Sequence, residues 1–192
     1  MNTAALPAPI PMLGGLTGLG LALALRLAVA GPAAAHSVVA GAVFGVALLA
    51  VAGACGFSRP KLSWRQLRWG VGGAAVLILP PLLHHLADPG PAAPTGLLPM
   101  WATVVSLVAV TEEIVLRGTV YESIASQPGP SAAIVVSAIA FAALHVPLYG
   151  WTAAPLDLAV GVFLGVLRAA AGSVTAPALT HALADLAGWW LR

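Results

Sequence analysis

Val110-Thr111-Glu112-Glu113-Ile114-Val115-Leu116-Arg117-Gly118 sets two carboxylates and a guanidinium inside an otherwise apolar stretch. Met100 to Val110 carries no charge, so a helix continuing through Tyr121 holds Glu112, Glu113 and Arg117 in its middle and far half. Charges inside a membrane span are costly and mark functional sites by default. On a helix Glu113 and Arg117 stand one turn apart, with the Glu N-terminal, the favourable order for an ion pair. Glu112 points to a neighbouring face and is left without that local partner. A carboxylate in a poorly solvated site is suited to general acid or base work near neutral pH.

The composition says what surrounds these charges. The chain is 60% hydrophobic and 7% charged over 192 residues, with a mean hydropathy of +0.98. A soluble domain of this length does not need so much apolar surface to fill one core, and the chain reads as an all-α, polytopic transmembrane helix bundle. Four of its eight Lys and Arg residues, Arg59, Lys61, Arg65 and Arg68, fall in one short stretch. That clustering speaks to membrane topology and not to nucleic acid. The single cysteine, Cys55, sits in an apolar run as a small hydrophobe and can form no internal disulfide.

About seven spans can be counted outward from these features, each near the roughly 20 residues needed to cross hydrocarbon. A Pro-rich head (Pro7, Pro9, Pro11) precedes an apolar segment from Leu13 to Ala30, interrupted by Arg26 and followed by Ala33-Ala34-Ala35. It resembles a signal peptide but lacks a basic residue ahead of it and carries a charge within, so it reads as the first span. The second covers about Ser37 to Phe57. The basic loop from Ser58 to Trp69 belongs in the cytoplasm by the positive-inside tendency. Span three, Gly70 to Ala87, contains Pro80-Pro81 and is expected to kink or break there. Asp88 to Pro99 is an outer loop, and span four returns from Trp101 to about Ser123. Gln127-Pro128-Gly129-Pro130 makes a tight inner turn. Span five runs from Ser131 to Val146, and Tyr149 to Pro155 is an outer loop. Span six runs from Leu156 to about Ala170, and span seven from Val174 to Leu191. The spans divide into an N-terminal region with the basic loop, 1–99, and a region carrying the polar groups, 100–192, within one integral-membrane domain.

Tryptophan positions agree with this count, since aromatic residues favour membrane interfaces. Trp101, Trp151, Trp189 and Trp190 belong at the outer face, and Trp64 and Trp69 at the inner one. Gly161-Val162-Phe163-Leu164-Gly165 is a GxxxG that would let two helices approach closely.

Three later pairs extend the opening stretch. Phe141 and His145 lie one turn apart in span five, and His181 and Asp185 one turn apart in span seven. A lone span histidine can simply hydrogen-bond a neighbouring helix. Glu, His, His and Asp converging in a dry interior would instead supply a base, proton donors and metal ligands. His84-His85 reads as interfacial, His36 as a loop residue and Glu122 as solvated, while Arg168 snorkels towards the cytoplasm. Arg26 lies deep enough in span one to want a partner that the sequence does not name.

Glu112-Glu113-xxx-Arg117, Phe141-xxx-His145 and His181-xxx-Asp185 together resemble the EExxxR, FxxxH and HxxxN/D motifs of the CPBP family, the CAAX proteases and bacteriocin-processing enzymes also called Abi. The resemblance covers Glu112 to Asp185, and Gly118 after Arg117 fits it. It implies an intramembrane endopeptidase acting on a membrane-associated protein or peptide. Glu112 and His145 would activate water, His181 and Asp185 would stabilise the oxyanion, and Glu113, Arg117 and Phe141 would support the site. The family is described both as zinc metalloproteases and as glutamic proteases. No cofactor is required in the second case; in the first, Glu112, His145 and His181 could hold zinc with one position open.

An ionised Asp185 would repel an oxyanion where an asparagine would donate to it. Either Asp185 is protonated, or it orients and charges His181; the one-turn spacing favours the latter. From other classes, a non-catalytic membrane scaffold or immunity-type protein would keep the fold and use the polar cluster for stability. A transporter would also explain buried charge, but no inverted repeat relates the two halves. The high Ala and Gly content points to a GC-rich bacterial genome, and so to a bacterial plasma membrane.

Overall fold

The outer surface of the bundle is largely apolar, and a cluster of charges lies in its interior. In the computed structural model, which describes residues 9–56, 60–90, 97–127 and 129–191, Leu21, Val39, Val46, Val76, Leu83, Ile139 and Leu156 are exposed on the outside. Arg26, Glu112, Glu113, Arg117 and His181 are buried. This inversion suits lipid as solvent. Pro7, Ser58, Arg59, Pro128 and residues 91–96, assigned to the head, loops or turns above, and Phe57, the last residue of the expected second span, lie outside the described residues.

The helices are α1 (Pro9–Ala30), α2 (Val38–Cys55), α3 (Trp64–Ala87), α4 (Leu98–Glu113), a π-helical segment (Ile114–Val120) running directly into α5 (Tyr121–Ala125), α6 (Pro130–Tyr149), α7 (Ala154–Ala171) and α8 (Thr175–Ala187). Among the described residues there is no strand, and six helices are long and apolar enough to cross a membrane, α4 to α5 forming one of them. The expected seventh span is the shorter α8, whose 13 residues extend over about 20 Å. That is less than a hydrocarbon core of about 30 Å. It packs between α3 and α4 within the bundle.

Local chemistry sets the ends. Ser37 caps α2, its Oγ accepting the Ala40 N–H at 3.2 Å, and Gly56 closes that helix in the left-handed region at φ 71°. Cys55, just before it, is half-buried. Ser63 caps α3 by accepting the Gln66 N–H at 3.3 Å, which starts the helix well before the expected Gly70. Arg65 and Arg68 are therefore helical, not part of a loop. The Pro80-Pro81 pair does not break α3, which continues to Ala87.

Early helix formation at Trp64 has a structural use. Arg65 Nη2 donates to the Ala170 carbonyl at 2.8 Å, and Gln66 Nε2 donates to that of Ala171 at 2.7 Å. These satisfy two of the carbonyls that the end of α7 leaves without intrahelical donors. Thr175 Oγ1 donates to the Lys61 carbonyl at 3.0 Å on the same end of the bundle. The opposite end is marked by Trp101 and Trp189, with ring centroids 4.7 Å apart. Trp64, Trp69, Trp151 and Trp190 are exposed, whereas Trp189 is buried.

The Gly161 to Gly165 pair is a packing seam. A Cβ at Gly161 would stand 2.9 Å from Ala138 Cα, and one at Gly165 would stand 3.1 Å from Ile134 Cγ2, so α7 lies directly on α6. Gly161→Leu is expected to force these helices apart and cost roughly 1–3 kcal/mol. Gly53→Ala, where a Cβ meets nothing within 4 Å, should be neutral or stabilising by up to about 1 kcal/mol. Thermal unfolding of both variants in detergent checks the contrast.

Candidate active site

Glu112 and Glu113 are adjacent in the chain but belong to different surroundings. Glu113 is fully buried and accepts from Arg117 Nη1 at 2.7 Å, the one-turn pair expected from their spacing. Arg117 also donates from Nη2 to the Gly161 carbonyl at 2.8 Å, and its guanidinium lies 5.0 Å from the centre of the Phe141 ring. The glycine seam thus brings a backbone acceptor as well as close packing to the ion pair. Glu113 Oε1 also lies 3.2 Å from His181 Nδ1. One carboxylate oxygen ties three helical segments together, and Arg117 carries the connection to α7.

The helix changes form at this point. Between Ile114 and Val120 it takes the wider π-helical turn, and the Tyr121 N–H reaches the carbonyls of Leu116 and Gly118, bypassing that of Arg117. Arg168 fills the gap: its Nε donates to the Arg117 carbonyl at 3.0 Å while its Nη2 pairs with Glu122 at 2.9 Å. Arg168 is therefore drawn inward by a freed backbone acceptor rather than snorkelling away, and Glu122 is its ion-pair partner. Such π turns recur at functional sites because they re-aim side chains along one helix.

Glu112 faces the other way, onto a cavity of about 430 Å³ whose polar lining includes His145, Asp185, Arg26 and Tyr149. Among the described residues no hydrogen bond or ion pair reaches its carboxylate. Val104, Val105 and Val108 supply apolar wall beside it, and His36 and Trp101 also line the cavity. His145 Nδ1 lies 2.8 Å from the Phe141 carbonyl. A carbonyl only accepts, so Nδ1 carries the hydrogen, and in the neutral ring Nε2 holds the lone pair. The Phe141 ring lies 4.4 Å from the His145 ring and 5.4 Å, edge-on, from that of His181, bracing both imidazoles.

His181 is buried between two carboxylates, with Nδ1 towards Glu113 and Nε2 3.5 Å from Asp185 Oδ2. The Asp185 side chain retains 41% of its exposure and faces the cavity. With both His181 nitrogens directed at these acids, Glu112, His145 and His181 do not stand as an open three-ligand set. Among the described residues no three His, Cys, Asp or Glu side chains are placed to hold a metal ion.

The structure brings together every residue of the three sequence motifs and adds Arg26 and Tyr149. Tyr149 stacks on His145 at 5.7 Å, and its place one turn beyond His145 is a signal the spacing carries. Arg26 was visible as a charge in span one, but its position in this cavity depends on how α1 packs.

The buried Glu113–Arg117 pair can be tested directly. Arg117→Met should destabilise the protein by about 3–5 kcal/mol, because it leaves a buried carboxylate without its guanidinium. The double change Glu113→Gln with Arg117→Met should recover part of that loss, as read by thermal melting in detergent.

Residues 94–187 match the family model described as Type II CAAX prenyl endopeptidase Rce1-like. Neither a curated protein nor a solved structure matches the chain. The matched region contains the Glu112-Glu113-xxx-Arg117, Phe141-xxx-His145 and His181-xxx-Asp185 motifs, and with the membrane-type helices around them residues 94–187 belong to the CPBP family of CAAX-protease-type intramembrane endopeptidases.

Proposed function

We propose that Glu112 and His145 activate a water that attacks a peptide carbonyl of a membrane-associated protein or peptide. The observation that carries this reading is the contrast between the two glutamates: Glu113 is committed to Arg117 and His181, while Glu112 faces the cavity beside His145 without a local partner. The Glu112 carboxylate takes the water proton as the new C–O bond forms. His145 Nε2, left available by the Nδ1 bond to Phe141, orients the water. Collapse of the tetrahedral intermediate breaks the C–N bond, and the proton held by Glu112 passes to the leaving amine.

His181 and Asp185 support the developing charge as a unit. His181 lies between the Glu113 and Asp185 carboxylates, and the 3.5 Å approach of Asp185 supports its role in orienting and charging His181. The positive ring offsets the repulsion that an isolated aspartate would exert on an oxyanion. A zinc-dependent version would need His181 to leave its two acids and join Glu112 and His145.

The protein would do this in the plasma membrane of a bacterium. Lys61, Arg65, Arg68 and Arg168 lie towards the end of the bundle away from Trp101 and Trp189, and the positive-inside tendency puts that basic end in the cytoplasm. The cavity, rimmed by Trp101 and Trp189, then opens on the opposite face.

Glu112→Gln and His145→Ala should each lower cleavage of membrane-tethered peptides in liposomes by about 10²-fold or more, with melting temperatures near wild type. A zinc chelator should leave wild-type cleavage intact; loss of cleavage on chelation would establish the metal-dependent version. Orientation has its own measurement. A cysteine placed at exposed Trp151 in a Cys55→Ala background should react with an impermeant maleimide added outside intact cells, and labelling only after lysis would reverse the assignment.

A further inference from the structure

Three described arginines lie over aromatic rings, and two of them also hold a carboxylate. Arg117 lies over Phe141 and pairs with Glu113; Arg168 lies over Tyr121 and pairs with Glu122. Arg26 lies over Phe44 at 5.2 Å but pairs with no acidic side chain among the described residues. It is 6% exposed and is the one Lys or Arg among the described residues lining the catalytic cavity.

The hydrogen bonds that Arg26 does make define what remains. Nε donates to the Ala34 carbonyl at 3.1 Å and Nη2 to the Ala35 carbonyl at 3.3 Å. These anchor the side edge of the guanidinium on consecutive backbone acceptors and leave the Nη1–Nη2 edge, with two parallel N–H directions. Parallel N–H groups match the two oxygens of a carboxylate. Carbonyl dipoles hold a cation in place without neutralising it, and an unpaired charge buried in an apolar bundle is costly. A purely structural role, closing the turn after α1, would account for the two bonds but not for a guanidinium on the cavity wall.

We propose that Arg26 forms a carboxylate subsite of the catalytic cavity, taking a carboxylate of the bound peptide at its C-terminus or on an Asp or Glu side chain. The bound peptide supplies the acid that Arg26, alone of these three arginines, lacks. The subsite fixes the peptide across the cavity from Glu112, with Phe44 holding the guanidinium plane and the Ala34 and Ala35 carbonyls holding its rotation. Arg26 is a specificity-determining residue in this arrangement and takes no part in bond making. The proposal rests on the hydrolase reading of the same cavity, but its readout is binding.

The test uses the Glu112→Gln protein in zwitterionic-lipid nanodiscs and a library of membrane-tethered peptides. Each peptide is made as free acid, as C-terminal amide, and with Asp and Glu replaced by Asn and Gln. Carboxylate forms should bind about 10- to 100-fold more tightly than their amides. That ratio should fall to about one when Arg26→Gln is added and survive only in part with Arg26→Lys, which keeps the charge but not the parallel N–H pair. Binding of the amide forms serves as the folding control, because a merely structural loss would weaken acid and amide together. Preference for the free acid puts the carboxylate at the C-terminus, and preference for the acidic side chain puts it within the peptide. An acid preference unchanged by Arg26→Gln, no acid preference at all, or displacement of the acid peptide by anionic lipid would each overturn the subsite. Failure of the wild type to cut any peptide, with the Arg26-dependent preference intact, would remove the protease reading and leave the subsite standing.

Discussion

The arrangement depends on neutralising Arg117 inside an apolar bundle. A guanidinium is always charged, so its burial requires acceptors fixed in place before the helices close around it. Glu113 provides one from the preceding turn, Gly161 a second through its backbone, and the face of Phe141 lies against the cation. Each comes from a different helical element, which makes the charge a constraint on how the C-terminal helices can pack. Gly161 meets that constraint twice, since its missing side chain brings α7 onto α6 and its carbonyl accepts the guanidinium.

Because Glu113 is used in this way, Glu112 is left to face the cavity. Adjacent residues on a helix point about 100° apart, so one residue of offset separates the acid bound to Arg117 from the one that faces the cavity. His181 belongs to both sides of that division. It touches the committed acid through Nδ1 and the cavity-facing Asp185 through Nε2. Phe141 has a similar double place, beneath Arg117 and beside both imidazoles.

Much of this was legible in the residues, and for physical reasons. Glu113 and Arg117 could be paired because a helical turn brings them together whatever the tertiary structure does. Spans could be counted because a membrane demands long apolar runs. Long-range and backbone-dependent features were not available in the same way. The start of α3 at Trp64 depends on the Ser63 cap, and its value on carbonyls at the far end of α7. The π turn is a change of hydrogen-bond register that the apolar sequence Ile114-Val115-Leu116 does not announce. Arg168 was expected to snorkel towards the cytoplasm from its place near a helix end, but the carbonyl it binds became available only through that turn. Arg26 looked alone because its acceptors lie after α1 has ended, on Ala34 and Ala35.

The cavity is built from both halves of the chain. Glu112, His145 and Asp185 come from the later helices, while Arg26, His36 and Gly41 belong to the facing wall of α1, α2 and their connection. The later half must preserve a buried charge network whose members cannot be altered singly without cost. The facing wall has no such debt to the Arg117 cluster. Substitutions at its cavity-lining positions can therefore reshape what the cavity admits while leaving the bonds of Arg117 in place.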